Sequence, residues 1–143
     1  MATFEYTFPD DFIDTISRLE ERTDEIITHV LEAGGEVVLK QVRRNLQSVV
    51  GKNTAYPSRS TGRLVNALGL SPVKVDRSGN FNVKVGFDEP RQDGVSNAMI
   101  GSIIEYGKHG QPPKPFLKPA RNTSKSACIE AMKRKLEDEV SQL

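Results

Sequence analysis

The chain has 143 residues, of which 36% are hydrophobic and 27% charged, and its formal net charge is +1. This length fits one domain with a sizeable core, and no apolar run reaches the about 18 residues that a membrane-spanning helix needs. Residues 1–9 lack the basic and apolar regions of a secretory signal. The single cysteine, Cys128, excludes an internal disulfide and fits a reducing compartment.

The near-neutral total hides an uneven distribution of charge along the chain. Residues 1–39 contain ten acidic and two basic residues, whereas residues 40–143 contain nine acidic and eighteen basic residues. The local charges are therefore −8 and +9. Two explanations remain open. Oppositely charged surfaces could attract each other, within a subunit or between neighbours, or the charges could simply lie on different elements.

The N-terminal third has the pattern of amphipathic helices. Asp10 is placed to cap a first helix and Thr23 to cap a second. Apolar residues follow helical spacing in both: Phe12, Ile13, Ile16 and Leu19, then Ile26, Ile27, Val30, Leu31, Val37, Val38, Val42, Leu46 and Val49. The pair Gly34-Gly35 lies inside the second stripe and costs about 1 kcal/mol of helix propensity per glycine. Because the stripe keeps its phase, the pair predicts a bend or a close helix-on-sheet approach.

The middle of the chain alternates polar loops with short elements. Residues 51–61 and 88–96 predict exposed loops, and residues 60–68 predict a short helix. Residues 73–76 and 81–87 predict two strands of a hairpin, because apolar and polar residues alternate in the second and Ser78-Gly79-Asn80 is good turn chemistry. Residues 98–106 predict a short helix or strand that ends at Gly107.

Four prolines fall between residues 112 and 119, where they fix the backbone and remove amide donors. Phe116 and Leu117 lie between them, so the sequence predicts a stiff, extended segment that presents two apolar side chains for docking. A final helix is predicted to begin with a cap near residues 122–124. One of its faces carries Ile129, Met132, Leu136, Val140 and Leu143.

These elements predict a single α+β domain over residues 1–143, with a small antiparallel β-sheet packed by a long N-terminal helix and a C-terminal helix. Residues 1–21 would form an N-terminal extension. Two or three strands cannot cover a long helix alone. Either residues 3–8, with their alternating aromatics, add a strand, or neighbouring subunits complete the sheet.

Catalytic chemistry cannot be assembled from these residues. His29 and His109 have no partner at metal-ligand spacing, and Cys128 has no candidate base near it in sequence. The turn at residues 107–110 lacks the lysine and serine of a phosphate-binding loop. We therefore predict no enzymatic activity, no metal and no cofactor.

Nucleic-acid binding is the alternative function. Arg43, Arg44, Arg59 and Arg63 form a basic stretch that could contact a phosphate backbone, with Tyr56 available for stacking. The chain is almost neutral, however, and matches no nucleic-acid-binding motif. We therefore favour a solvated basic face or a partner surface for acidic helices over a nucleic-acid site.

One combination of motifs resembles a known family. The segment Glu105-Tyr106-Gly107, a variable loop, and then Pro115-Phe116-Leu117-Lys118-Pro119-Ala120 before the last helix resembles the HK97 gp10-like family of tailed-phage tail-completion or head–tail joining proteins. The segment Thr61-Gly62-Arg63-Leu64 is similar to the Thr-Gly-x-Leu motif of that family. The resemblance covers roughly residues 20–143.

The resemblance implies a structural protein of the virion neck or tail of a phage or prophage, assembled in the bacterial cytoplasm. It implies a homo-oligomer, a hexameric ring at the end of the tail tube, with tail-tube, tail-terminator or head-connector proteins as partners. The motif positions are Gly62, Leu64, Glu105, Tyr106, Gly107, Pro115, Phe116, Leu117 and Pro119. Whether they anchor the last helix on the sheet or contact a neighbour, and which way Phe116 faces, stays open.

Overall fold

A computed structural model describes residues 10–50, 62–88 and 96–143. The helices are α1 (Asp10–Val49), α2 (Arg63–Asn66), α3 (Asn97–Tyr106) and α4 (Leu117–Ser141), and the strands are β1 (Leu68–Leu70), β2 (Lys74–Val75), β3 (Phe81–Asn82) and β4 (Val85–Phe87). The predicted α+β class, with a long N-terminal helix, a C-terminal helix and little sheet, is confirmed. Residues 3–8, which were one of two alternatives for extending the sheet, lie outside the described residues.

The N-terminal third is one continuous helix of 40 residues, so the second cap predicted at Thr23 is wrong. The Thr23 hydroxyl donates a hydrogen bond of 2.6 Å to the carbonyl of Leu19, four residues back, and therefore sits inside the helix instead of starting one. Leu19 and Ile26 are seven residues apart and share a face. The apolar stripe continues past Thr23 without a change of phase.

The strands form two separate two-stranded antiparallel sheets. Strand β1 pairs with β4, and β2 pairs with β3. The predicted hairpin turn at residues 77–80 is confirmed. The single strand predicted over residues 81–87 is wrong, because it breaks into β3 and β4. Between β3 and β4, the amide of Lys84 donates a hydrogen bond of 2.8 Å to the side-chain hydroxyl of Ser71, where a regular strand pair would use a backbone carbonyl. Pro72, the next residue, has no amide to donate, so the regular pairing is interrupted here.

The helix predicted at residues 60–68 is also too long. Helix α2 spans only Arg63–Asn66, and Leu68 already belongs to β1. Strand β1 pairs with residues 15 to 19 positions later in the chain, in register from Leu68 with Phe87 to Leu70 with Val85. Strand pairing therefore overrides the local preference for helix, and β1 has no alternating pattern of its own that could have revealed it.

The glycine pair of α1 makes the close approach that the sequence predicted. A Cβ atom at Gly34 would lie 2.6 Å from Cγ of Met132 in α4, and one at Gly35 would lie 2.7 Å from Cδ1 of Leu70 in β1. Both glycines are buried. The long helix therefore packs against α4 on one side and against a strand on the other, without a break in its hydrogen bonding.

Helices α1 and α4 run antiparallel. Asn45, near the end of α1, donates to the carbonyl of Phe116 at the start of α4, and Arg22 contacts Glu139 near the end of α4. The buried core lies where the C-terminal half of α1 meets the sheet and the start of α4. Its members are Leu39, Val42, Leu46, Leu64, Leu68, Phe116 and Ala120. Within the three described segments, no helix is both long and apolar enough to cross a bilayer.

Candidate functional site

The final helix begins at Leu117, not near residues 122–124 as predicted. The stiff extended segment therefore ends at Pro115, and Pro119 lies in the first helical turn. Proline is accepted there because first-turn amides have no acceptor within the helix. Phe116 occupies the N-cap position and makes no capping bond with its side chain. The start of α4 consequently needs an acceptor from elsewhere in the fold.

That acceptor is the side chain of Glu105 at the end of α3. Its Oε2 atom accepts hydrogen bonds from the amides of Phe116 at 2.7 Å and Leu117 at 2.8 Å, and Oε1 accepts from Lys118 at 3.0 Å. One carboxylate thus satisfies three of the amides that a helix N-terminus leaves unpaired. The negative charge also lies at the positive end of the α4 dipole. Glu105 locks α3 to α4.

The ionisation of Glu105 follows from this geometry. Its side chain is buried, and burial by itself would raise the pKa of the carboxyl. The three amide donors and the positive charge of Lys118 act in the opposite direction and prevail, so the pKa lies below its ordinary value of 4.5. The carboxylate that caps α4 is therefore ionised at neutral pH.

Gly107 is the stop that its position predicted, and it also makes room for the returning chain. Its φ is 77°, a value that L side chains rarely adopt. A Cβ atom there would lie 2.8 Å from the carbonyl oxygen of Gln111 and 2.8 Å from the nitrogen of Pro113. The amide of Lys114 meanwhile donates to the carbonyl of Ile104 at 2.7 Å. The loop thus folds back tightly against the end of α3.

Phe116 faces the core. It is fully buried, and its ring meets Phe87 of β4 edge-on with 6.4 Å between the ring centroids. Its carbonyl accepts from the side-chain amide of Asn45 at 3.2 Å. Of the two alternatives left open by the sequence, Phe116 therefore takes the anchoring one, because it ties the start of α4 to both α1 and the sheet.

Other motif residues remain on the surface. Tyr106 is 78% exposed and Leu117 is 37% exposed, and both prolines of the motif are exposed as well. The motif therefore divides into two parts. Glu105, Gly107 and Phe116 build the joint between α3 and α4, whereas Tyr106 and Leu117 present apolar surface beside it.

That surface borders an open groove of about 770 Å³ between α1, β4, the end of α3 and the first half of α4, here called the α4 groove. Its apolar lining includes Val38, Val42, Val85, Tyr106, Leu117 and Ile129. Its exposed cationic lining consists of Lys118, Arg121 and Lys125. Among the described residues that line it, the only acid is Glu105, whose oxygens already accept hydrogen bonds from the α4 amides. The groove thus combines apolar walls with positive charge.

Gly62 and Leu64, the two motif residues upstream of the strands, lie at the start of α2 and in the core. Gly62 is the N-cap of α2 with a φ of 81°, which favours glycine. Leu64 is buried in the core between α1 and β1. Both residues shape the entry into β1.

The basic residues predicted as an alternative contact surface differ in exposure where the structure describes them. The guanidinium of Arg43 donates to the carbonyl of Leu68 at 3.3 Å and is half-buried against β1. Arg44 and Arg63 are exposed. Arg59 and Tyr56 lie outside the described residues. The side chain of Arg43 thus contacts the sheet.

A second polar cluster, at the other end of α4, was missed by the sequence reasoning. Glu139 is buried, and its carboxylate lies 2.7 Å from Nδ1 of His29, 3.3 Å from Arg22 and 3.5 Å from Lys135. The bond with His29 is the main cause that holds the pKa of Glu139 below 4.5, although burial opposes it. His29 and Glu139 are 110 residues apart, so no spacing could have linked them.

In both clusters the carboxylate bonds to groups of a neighbouring helix. Among the described residues, no group of three or more His, Cys, Asp and Glu side chains could hold a metal ion. His109 is exposed in the turn after Gly107, and Cys128 is half-buried against Gly34. The Glu105 cluster joins α3 to α4, the Glu139 cluster joins α1 to α4, and the α4 groove lies open beside the first of them.

Comparison with known protein families identifies a match. The sequence model of the HK97-gp10-like family, described as "Bacteriophage HK97-gp10, putative tail-component", matches residues 10–107. The matched span runs from the start of α1 to Gly107. It therefore includes residues 10–21 and ends before the Pro-Phe-Leu-Lys-Pro-Ala segment. No curated protein and no solved structure matches the chain.

Proposed function

Because the chain belongs to the HK97 gp10-like family of bacteriophage tail components, we propose that it completes the tail or joins it to the head by forming a ring at the end of the tail tube. As a tail component it is associated with the virion. The observation that carries the proposal is the family match, which spans more than half of the chain and includes α1, the strands and α3. The proposed role is structural, not catalytic.

The distribution of charge supports assembly between copies. The exposed residues near the start of α1 include Asp14, Glu20 and Glu21, whereas the first half of α4 exposes Lys118, Arg121 and Lys125. The two ends of the molecule therefore carry opposite charge, which favours head-to-tail contacts between identical subunits. Head-to-tail contacts generate rings when the rotation between subunits closes. A hexamer is the subunit number that the family resemblance implies.

The rigid joint around Glu105 suits this role. A subunit at the end of a tail tube must hold its contact surfaces in a fixed orientation while it meets neighbours on several sides. Glu105 and Phe116 fix α4 relative to α3, α1 and the sheet through hydrogen bonds and buried packing. The surfaces on α4 are therefore presented by a framework with little freedom to move.

The test is to mix purified protein with purified tail tubes and image them by negative-stain electron microscopy, with a gold label on the protein. We expect rings of the free protein and label at tube ends only. Label spread along the tubes, or no label on them, would count against the proposal. Light scattering over a salt series, from about 0.05 to about 0.5 M, should show a falling mass because screening weakens exposed charge pairs.

The same imaging experiment identifies the partner at the tube end when each candidate is supplied separately. The candidates are the tail-tube, tail-terminator and head-connector proteins. A gel shift with duplex DNA over the same salt series distinguishes nucleic-acid binding from binding to the tail tube. A DNA complex whose affinity falls steeply with salt, together with bare tube ends, would favour the alternative.

A further inference from the structure

We propose that the α4 groove receives the N-terminal end of α1, residues 10–21, from a second copy of this chain. The inference rests on the ring assembly proposed above and names the contact that would hold the ring together. It depends on three features of the described residues: the reach of α1 beyond α4, the chemistry of that helix end, and the chemistry of the groove.

Helix α1 extends well past the helix that packs against it. Arg22 and His29 contact Glu139, and α4 ends only two residues later, at Ser141. Helix α1, in contrast, starts twelve residues before Arg22. At 1.5 Å per residue these twelve residues span about 18 Å. The N-terminal end of α1 therefore projects beyond the end of α4.

The sequence of this projecting end is amphipathic and acidic. Four apolar residues, Phe12, Ile13, Ile16 and Leu19, recur at helical spacing. Asp14 and Glu21, which are seven residues apart and share a face, are both exposed. A helix end with an apolar stripe and an acidic flank is suited to an apolar groove with a positive edge.

The α4 groove has that complementary chemistry. Tyr106, Leu117 and Ile129 leave apolar surface exposed along it, with Ile129 at 43%. Lys118 and Lys125 are seven residues apart on α4, the same spacing as Asp14 and Glu21 on α1. Each pair therefore spans about 10 Å along its helix, so that two salt bridges could form in register. An acidic amphipathic helix fits the groove in both polarity and charge.

The occupant must come from another molecule. Asp14 and Val38, which lines the groove, lie on the same continuous helix, 24 residues apart. They are therefore about 36 Å apart, and a straight helix cannot fold back onto itself. Because the inserted end and the receiving groove are different surfaces, the contact is heterologous and repeats from copy to copy. Such a contact can close into a ring.

The experiment exchanges charge between the two surfaces. One variant combines Lys118→Glu with Lys125→Glu in the groove, and the other combines Asp14→Lys with Glu21→Lys on the helix end. All four positions are exposed. We expect each variant alone to fall to the monomer mass of 15.9 kDa by light scattering. An equimolar mixture, and a single chain that carries all four changes, should regain the wild-type mass, because opposite charges meet again.

The control is Lys133→Glu with Arg134→Glu, two exposed cations of α4 outside the groove lining, which should assemble like the wild type. Thermal unfolding should confirm that every variant is folded. If the wild type assembles and both surface variants assemble equally well, the groove contact is refuted while the ring proposal stands. If the wild type is monomeric at every salt and protein concentration and leaves tube ends bare, both proposals fail.

Discussion

Removal of the Glu105 carboxylate is the most direct test of how this fold is held together. Glu105→Ala deletes the acceptor of three amides, at 2.7, 2.8 and 3.0 Å, and leaves the buried amide of Phe116 without a partner. Glu105→Gln keeps one acceptor oxygen but turns an amide NH₂ group toward the α4 N-terminus. The exposed acid Glu130 of α4 offers a matched control as Glu130→Gln.

The expected cost follows from the number and burial of these bonds. A buried donor without a partner costs about 1–3 kcal/mol, and the loss of a helix cap costs about 0.5–2 kcal/mol. The hydrogen bonds of Leu117 and Lys118 are only partly buried, so the two costs do not add in full. We expect Glu105→Ala to lower the free energy of unfolding by about 3 kcal/mol and Glu105→Gln by about 1–2 kcal/mol. The Glu130 control should stay within about 0.5 kcal/mol.

The pH dependence gives the charge-specific readout. The folded-state pKa of Glu105 lies below its unfolded value, so its ionisation contributes stability above about pH 4.5 that is lost as the pH falls through the folded pKa. The difference in stability between wild type and Glu105→Gln should therefore be constant near about pH 7, and it should narrow as the pH falls below 4.5 and through the folded pKa. Urea unfolding followed by circular dichroism, at one protein concentration, measures it. An unchanged gap at low pH, or an alanine variant as stable as the control, would refute the capping role.

Three further substitutions test the packing around the joint, each by the free energy of urea unfolding. Phe116→Ala should cost about 3–5 kcal/mol because the ring is fully buried; a cost below about 1 kcal/mol would contradict its place in the core. Gly107→Ala should cost at least about 2 kcal/mol, from positive φ and backbone contacts at 2.8 Å, whereas Gly110→Ala, with similar φ and open space, should cost only about 1 kcal/mol. Equal costs would show that the contacts do not matter. Gly35→Val should cost about 1–3 kcal/mol by overlap with Leu70, and Leu70→Ala in the same chain should recover part of it; strict additivity would mean that the two side chains do not meet.

Much of the architecture was predictable from the sequence because it depends on local periodicity. Three features follow from residue types at short spacing and are confirmed: the apolar stripe of α1 from Leu19 onward, the turn at residues 77–80 and the stop at Gly107. The apolar stripe kept its helical phase across the glycine pair, so a close approach of another element to these glycines could be expected. The residues that make this approach could not be named from the sequence. The resemblance to the HK97 gp10-like family came from motifs of the same local kind.

Only the tertiary structure decided where distant residues meet. Local preference placed the start of the last helix at residues 122–124, because no residue at 116 can cap a helix by itself. The helix starts at Leu117 because Glu105, eleven residues earlier than Phe116, supplies the missing acceptor. Strand β1 likewise exists through its pairing with β4, and Glu139 is held by a histidine 110 residues away. Periodicity depends on residues close together in sequence, whereas a buried polar group meets a hydrogen-bond partner from a distant segment only when the chain has folded.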